Sequence, residues 1–93
     1  MFKVRFLAWS EDAELHIRSR HGVTVSETEE AAYNHRLALK GRTSGVYEVF
    51  GRSDAGLYLL VVVRYLGRGS AKVITARDMT ETERRRYRRH ASH

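Results

Sequence analysis

The chain has no cysteine and no proline among its 93 residues. It also lacks any apolar run long enough to cross a bilayer. Without cysteine, neither a disulfide nor a thiolate metal site can hold the fold together. Five histidines stand at positions 16, 21, 35, 90 and 93. No two have the i,i+4 spacing that would put both on one metal from an expected helix, so no structural metal and no cofactor are expected. At the start, Met1-Phe2-Lys3-Val4-Arg5 alternates charge with apolar residues where a secretory signal needs an uninterrupted apolar stretch. A cytoplasmic protein with no membrane contact is the expectation. The absence of proline says nothing about function.

What is present points to a folded domain. Hydrophobic residues make up 42% of the chain and aromatic ones 10%, too many for a disordered basic tail. The length suits one domain, residues 1–93, with a core of modest size. The formal charge is +6, and the sign is unevenly spread. Residues 10–33 carry Glu11, Asp12, Glu14, Glu27, Glu29 and Glu30 against Arg18 and Arg20, whereas residues 34–93 hold most of the positive charge. A surface for a polyanion is therefore expected on the second half of the chain.

Residues 2–8 alternate Phe2, Val4, Phe6 and Ala8 on one side with Lys3, Arg5 and Leu7 on the other, which predicts a half-buried strand with one side facing the core. Ser10 is an N-cap candidate for a helix from about Glu11 to Arg20, with Ala13 and Ile17 as a thin apolar stripe and Gly22 beyond its end. Ser26-Glu27-Thr28-Glu29 has a capping-box pattern and predicts a second helix to about Asn34. His35 to Lys40 and Val46 to Arg52 are strand candidates, followed by the turn Ser53-Asp54-Ala55-Gly56. Leu57 to Leu66 is apolar at nearly every position, as in a central strand covered on both faces. Alternation puts Arg64 with Tyr58, Leu60 and Val62. After the turn at Gly67-Arg68-Gly69-Ser70, Ala71 to Arg77 reads as a strand with Val73, Thr75 and Arg77 on one face. Thr80-Glu81-Thr82-Glu83 is a capping box opening an arginine-rich terminal helix. The sum is an α+β fold: one small, mostly antiparallel sheet, two N-terminal helices and a C-terminal helix, with the helices expected on one face.

Arg64 and Arg77 both end apolar strands, where a packed sheet would hold a guanidinium still enough to grip two phosphate oxygens. The plainer reading is that each reaches a carboxylate at the sheet's edge, Asp78 being available to Arg77. Arg84, Arg85, Arg86, Arg88 and Arg89 exceed what a helix C-terminus needs electrostatically, so they too point to a polyanion or an acidic partner. Tyr87 reads first as the aromatic that packs this helix on the sheet, with substrate contact as the alternative.

Gly51-Arg52-Ser53, Leu60-Val61-Val62-Val63 and above all Ile74-Thr75-Ala76-Arg77, Thr80, Glu83-Arg84 and Tyr87 resemble the BrnT family of type II toxins. His21-Gly22-Val23 before the short acidic helix adds to the likeness, which runs from about Arg20 to Arg89. The resemblance implies a RelE-like fold, ribonuclease activity that inhibits translation, RNA as substrate with possible ribosome contact, and a cognate BrnA-like antitoxin. For the site, the resemblance favours Arg77 and retains His21, beside the candidates that the residues themselves offer. Arg64, Arg77, His21 and Glu83 become the catalytic candidates, and Arg52, Arg84, Arg85, Arg88 and Tyr87 the nucleic-acid-binding ones. Each has a structural alternative: His21 as a helix-end histidine, Glu83 as a capping-box residue. The competing function is a basic module that binds nucleic acid or an antitoxin without catalysis. An interaction subunit with incidental basicity would have no salt-dependent RNA affinity.

Overall fold

The computed structural model describes residues 3–91. Strand β1 (Phe6–Ala8) is followed by helices α1 (Glu11–His21) and α2 (Val25–Tyr33). Strands β2 (Leu37–Lys40), β3 (Val46–Arg52), β4 (Tyr58–Gly67) and β5 (Ser70–Asp78) come next, and helix α3 (Glu81–Ala91) ends the chain. The five strands form one sheet in the order β1-β5-β4-β3-β2. Every neighbouring pair is antiparallel except β1 with β5, which is parallel. Among the described residues no helix is long and apolar enough to cross a membrane.

β4 is the central strand, as its composition demands: Leu59, Leu60, Val61 and Val63 are all buried. The two sides of the strand feed two separate clusters. Val49, Leu59, Val61, Val63, Ala71, Val73 and Ala76 pack against Ile17 of α1 and Ala31 and Ala32 of α2. On the opposite side Leu37, Phe50 and Leu60 pack against Met79 and Tyr87. The helices are thus divided between the two faces, not gathered on one as expected. The cause lies in α3, whose apolar residues are few and whose Tyr87 seals only the end of the sheet where β2, β3 and β4 present Leu37, Phe50 and Leu60.

Four local expectations are also corrected. β1 is shorter than residues 2–8 and its faces differ from simple alternation: Val4 and Leu7 are buried, while Phe6 is exposed. Arg5 and Phe6 both donate backbone N–H groups to Gly69 O, a kink that shifts the phase by one residue; Phe2 lies outside the described residues. α2 is capped by Thr24 and Glu27, not by Ser26 and Glu29. The two patterns overlap, and the earlier cap wins because it sets Thr28, Ala31 and Ala32 against the sheet and frees Glu29 to accept from Trp9 Nε1. On β5, Val73 pairs with Val63 and Thr75 with Val62, so Ile74 is an extra, bulged residue. The bulge separates Val73 from Thr75 and Arg77, placing Val73 in the α1/α2 core and leaving Ile74 exposed. β2 begins two residues late, at Leu37, because His35 still closes α2, its Nδ1 2.8 Å from Ala32 O.

Candidate nucleic-acid interface

The start of α3 is held by a compact polar knot. Glu83 N–H donates to Thr80 Oγ1 at 3.2 Å and Thr80 N–H donates to Glu83 Oε1 at 2.8 Å, the capping box read from the sequence. Arg77 closes on the same carboxylate with two parallel bonds, Nη1 to Oε1 and Nη2 to Oε2, both 2.9 Å, and donates from Nη1 to Asp78 O. The partner of Arg77 is therefore Glu83 and not the Asp78 side chain. The paired guanidinium holds the Glu83 carboxyl below its ordinary value of 4.5, with Thr80 N–H adding to the effect.

Both side chains are partly open to solvent, 36% and 24%, which screens the pair. Glu83→Gln is expected to destabilise the protein by about 1 kcal/mol near neutral pH. A lowered folded-state pKa gives stability that is present above the unfolded value and lost as pH falls below 4.5 through the folded one. Thermal melts of the two proteins should accordingly converge in acid; a gap that persists unchanged there would show that the charge is not what Glu83 contributes.

Beyond this knot α3 turns its arginines onto one aromatic ring. Tyr58, first residue of β4, has the guanidinium carbons of Arg52, Arg88 and Arg84 at 4.9, 5.3 and 5.4 Å from its ring centroid. Arg52 arrives by register, since β3 and β4 pair Arg52 with Tyr58 around the Ser53–Gly56 turn. Arg84 and Arg88 arrive by periodicity, one helical turn apart. Tyr87 meets the same ring edge-on, centroids 5.8 Å apart at 78°. Arg84 Nε is buried without a hydrogen-bond acceptor, so stacking on the ring prevails over hydrogen bonding at that atom.

Three cations around a phenol favour its ionised form. A hydrogen bond from Arg88 and the fields of Arg52, Arg88 and Arg84 lower the Tyr58 pKa below 10, against a smaller opposing effect of burial. Tyr87 behaves oppositely, burial raising its pKa. The ring floors an open cleft of about 710 Å³ lined by Asn34, Arg36, Arg52, Ser53, Asp54, Tyr58, Tyr87 and Arg88. Ser53 is buried and fixes the turn, its Oγ accepting from Leu57 N–H at 3.0 Å. The cleft is cationic with an aromatic floor, suited to a phosphodiester flanked by bases.

Of the residues singled out from the sequence, Arg52, Arg84, Arg88 and Tyr87 meet here, and the Arg77–Glu83 pair stands next to them at the base of α3. Arg85 is exposed and does not line the cleft. Arg64 lies four residues along β4 from Leu60, which faces Arg77, so it is about 13 Å away at about 3.3 Å per residue. Its Nη1 donates to Ser44 O at 3.4 Å, beside the β2–β3 turn. His21 ends α1 on the other face of the sheet, its ring 5.7 Å from that of His16. Sequence reasoning passed over Tyr58, Arg36 and Asn34. Folding the β3–β4 hairpin about a connection that includes Leu57, residues 53–57, would have paired Tyr58 with Arg52; Arg36 and Asn34 carry no comparable signal.

The sequence matches no protein-family model and has no significant match among curated proteins. Among solved structures, the 1.1 Å crystal structure of the Brucella abortus ribonuclease toxin BrnT superposes with a TM-score of 0.62 at 13% identity. The match covers 84% of this chain and all of that one. The chain thus has a BrnT-like toxin fold, an α+β domain with a five-stranded, mostly antiparallel sheet.

Proposed function

We propose that this protein is the toxin of a type II toxin–antitoxin pair, an endoribonuclease that inhibits translation by cutting RNA without a metal. The observation that carries the proposal is the Tyr58 cleft, where Arg52, Arg84 and Arg88 converge on one phenol. Its likeness in fold to a ribonuclease toxin supports the same reading.

Strand cleavage without a metal proceeds by attack of a ribose 2′-oxygen on the adjacent phosphorus, with loss of the 5′-oxygen of the next nucleotide. It needs a group to take the 2′ proton, a group to protonate the leaving oxygen, and cations for the charge gathering on phosphate. Arg52 and Arg88, with Arg36 at the rim, supply the cations. Tyr58 is the proton-transfer group, its pKa lowered by the hydrogen bond from Arg88 and the fields of Arg52, Arg88 and Arg84. Glu83 and Arg77 position α3, since each satisfies the other and Glu83 also serves the cap. Arg64 and His21 take no part in this chemistry. The partner expected on the same surface is an antitoxin whose acidic segment neutralises the cleft; contact with the ribosome would bring the substrate RNA.

The test is incubation of the purified protein in EDTA with long single-stranded RNA, free and ribosome-bound, beside an Arg52→Ala/Arg88→Ala variant. Cleavage should survive the chelator and fall by about 100-fold or more in the variant. Intact RNA in both forms, with tight salt-dependent binding, would make the protein a binding module instead.

A further inference from the structure

The end of the sheet opposite the Tyr58 cleft carries a second concentration of positive charge. Arg64 and Lys72 stand directly opposite each other on β4 and β5 and are both exposed. Like charges at such cross-strand positions repel, a cost with no structural return unless an anion lies between them. Among the described residues neither is within ion-pair distance of a carboxylate.

The neighbouring β4–β5 turn repeats the pattern. Arg68 sits at its tip with φ 55°, the one described non-glycine residue in the left-handed region, where asparagine or glycine would be easier. The stem of Arg5 lies so close against Gly69 that a Cβ there would come within 3.0 Å of it. Gly69 N–H donates to Tyr65 Oη at 2.8 Å, fixing the turn. Lys3, Arg5, Tyr65, Arg68 and Gly69 line an open cleft of about 380 Å³ without a single acid. On the β2–β3 side, Arg42 and Lys40 border another without one.

We propose that this end of the sheet is a second RNA-backbone site, separate from the cleavage cleft, that grips phosphates of the same strand. The proposal rests on the reading of the protein as RNA-binding. Tyr58 and Arg64 share a face and are six residues apart on one strand, about 20 Å at about 3.3 Å per residue, a span within reach of several nucleotides. Between the two ends the same face carries Thr75, Glu48 opposite Val62 and an Arg77 already neutralised by Glu83, so the two cationic regions are separate patches and not one track. A short oligonucleotide can then occupy one end only, whereas a long one engages both.

The experiment measures binding of non-cleavable 2′-O-methyl RNA of about four and about sixteen nucleotides, the limits of common single-strand site sizes, to the wild type and to Arg64→Gln/Lys72→Gln. The wild type should bind the longer RNA more than about tenfold tighter than the shorter, and the variant should lose most of that gain. The slope of log affinity against log salt should fall by about 1.4, for two phosphate contacts at about 0.7 each. Affinity for the shorter RNA should change by less than about twofold, because both substituted residues lie beyond its reach. A variant that keeps the wild-type affinity and salt slope for the longer RNA overturns the second site, whether or not the protein cleaves. Binding of a glutamate homopolymer that depends on Arg64 and Lys72, with no such dependence for RNA, overturns it in favour of an acidic protein partner. Length-dependent binding that needs both residues, in a protein that cleaves nothing, upholds the second site while removing the ribonuclease reading.

Discussion

Gly51→Ala is expected to cost about 3 kcal/mol or more of stability and to lower the melting temperature by about 12 °C or more. A Cβ built on Gly51 would lie 1.9 Å from the carbonyl oxygen of Ala31 and 2.8 Å from its carbonyl carbon. Both are backbone atoms of α2, so no rotamer change relieves the overlap; the helix must withdraw from β3 or the sheet must bend. Ala31 and Ala32 are fully buried, and the withdrawal would open the core around Val49, Leu59 and Val61. A domain of this size has roughly 5–14 kcal/mol in total, so the loss is a large share of it. The nature of the obstacle makes the prediction specific. Because the clash is with an oxygen of the main chain, Ala31→Gly should not rescue Gly51→Ala. Chemical denaturation of the single and double variants checks both statements; a single variant within about 1 kcal/mol of wild type would mean that α2 yields more easily than its packing suggests.

That contact shows what a sequence can and cannot disclose. A glycine between Phe50 and Arg52 in a strand pattern signals close approach of something, but the helix that approaches is 20 residues away along the chain. The strongly patterned features were legible: the apolar run that became β4, the Ser10 cap and Gly22 end of α1, the Thr80–Glu83 box. Where two local solutions had similar merit, tertiary packing chose, as in the cap of α2. Where a single residue changes the phase, as at the Ile74 bulge or the kink at Arg5, a period-two reading assigns the wrong face to everything beyond it. The placement of α3 was the least accessible, because a helix with Tyr87 as the one buried side chain among its described residues shows little apolar face to read.

The same placement explains why the candidate site was only half visible. Arg84 and Arg88 stood out by number, but the residue they converge on belongs to a strand that reads as core. Tyr58 lies at the first position of β4, beyond the stretch covered on both faces, so its ring packs on Tyr87 while its hydroxyl reaches the cleft. Arg64 stood out by interrupting an apolar run, yet the interruption marks the far end of the sheet. A charge in a strand therefore marks an exposed position of the sheet, here at a distance from the Tyr58 cleft.

Tyr58→Phe should separate RNA binding from proton transfer. The substitution keeps the ring, and with it the edge contact to Tyr87 and the stacking of Arg52, Arg84 and Arg88, while removing the one atom that can exchange a proton. Fold and RNA affinity are expected to stay within about twofold of wild type, since the guanidinium groups that meet phosphate are untouched. Cleavage should fall by about 10²- to 10⁴-fold, the usual effect of losing a general acid or base. The pH dependence supplies the sign. A phenol whose pKa is lowered by neighbouring cations is ionised at lower pH than an ordinary tyrosine. If Tyr58 takes the 2′ proton, the wild-type rate rises with pH through its lowered pKa and levels above it, and the residual rate of the phenylalanine variant lacks that limb. If it donates to the leaving oxygen, the wild-type rate falls through the same pKa. A variant that cleaves within about tenfold of wild type, with an unchanged pH profile, would leave Tyr58 as a stacking platform and return the search for the proton-transfer group to the rim of the cleft, where Asp54 is the remaining titratable side chain besides the arginines and Tyr87.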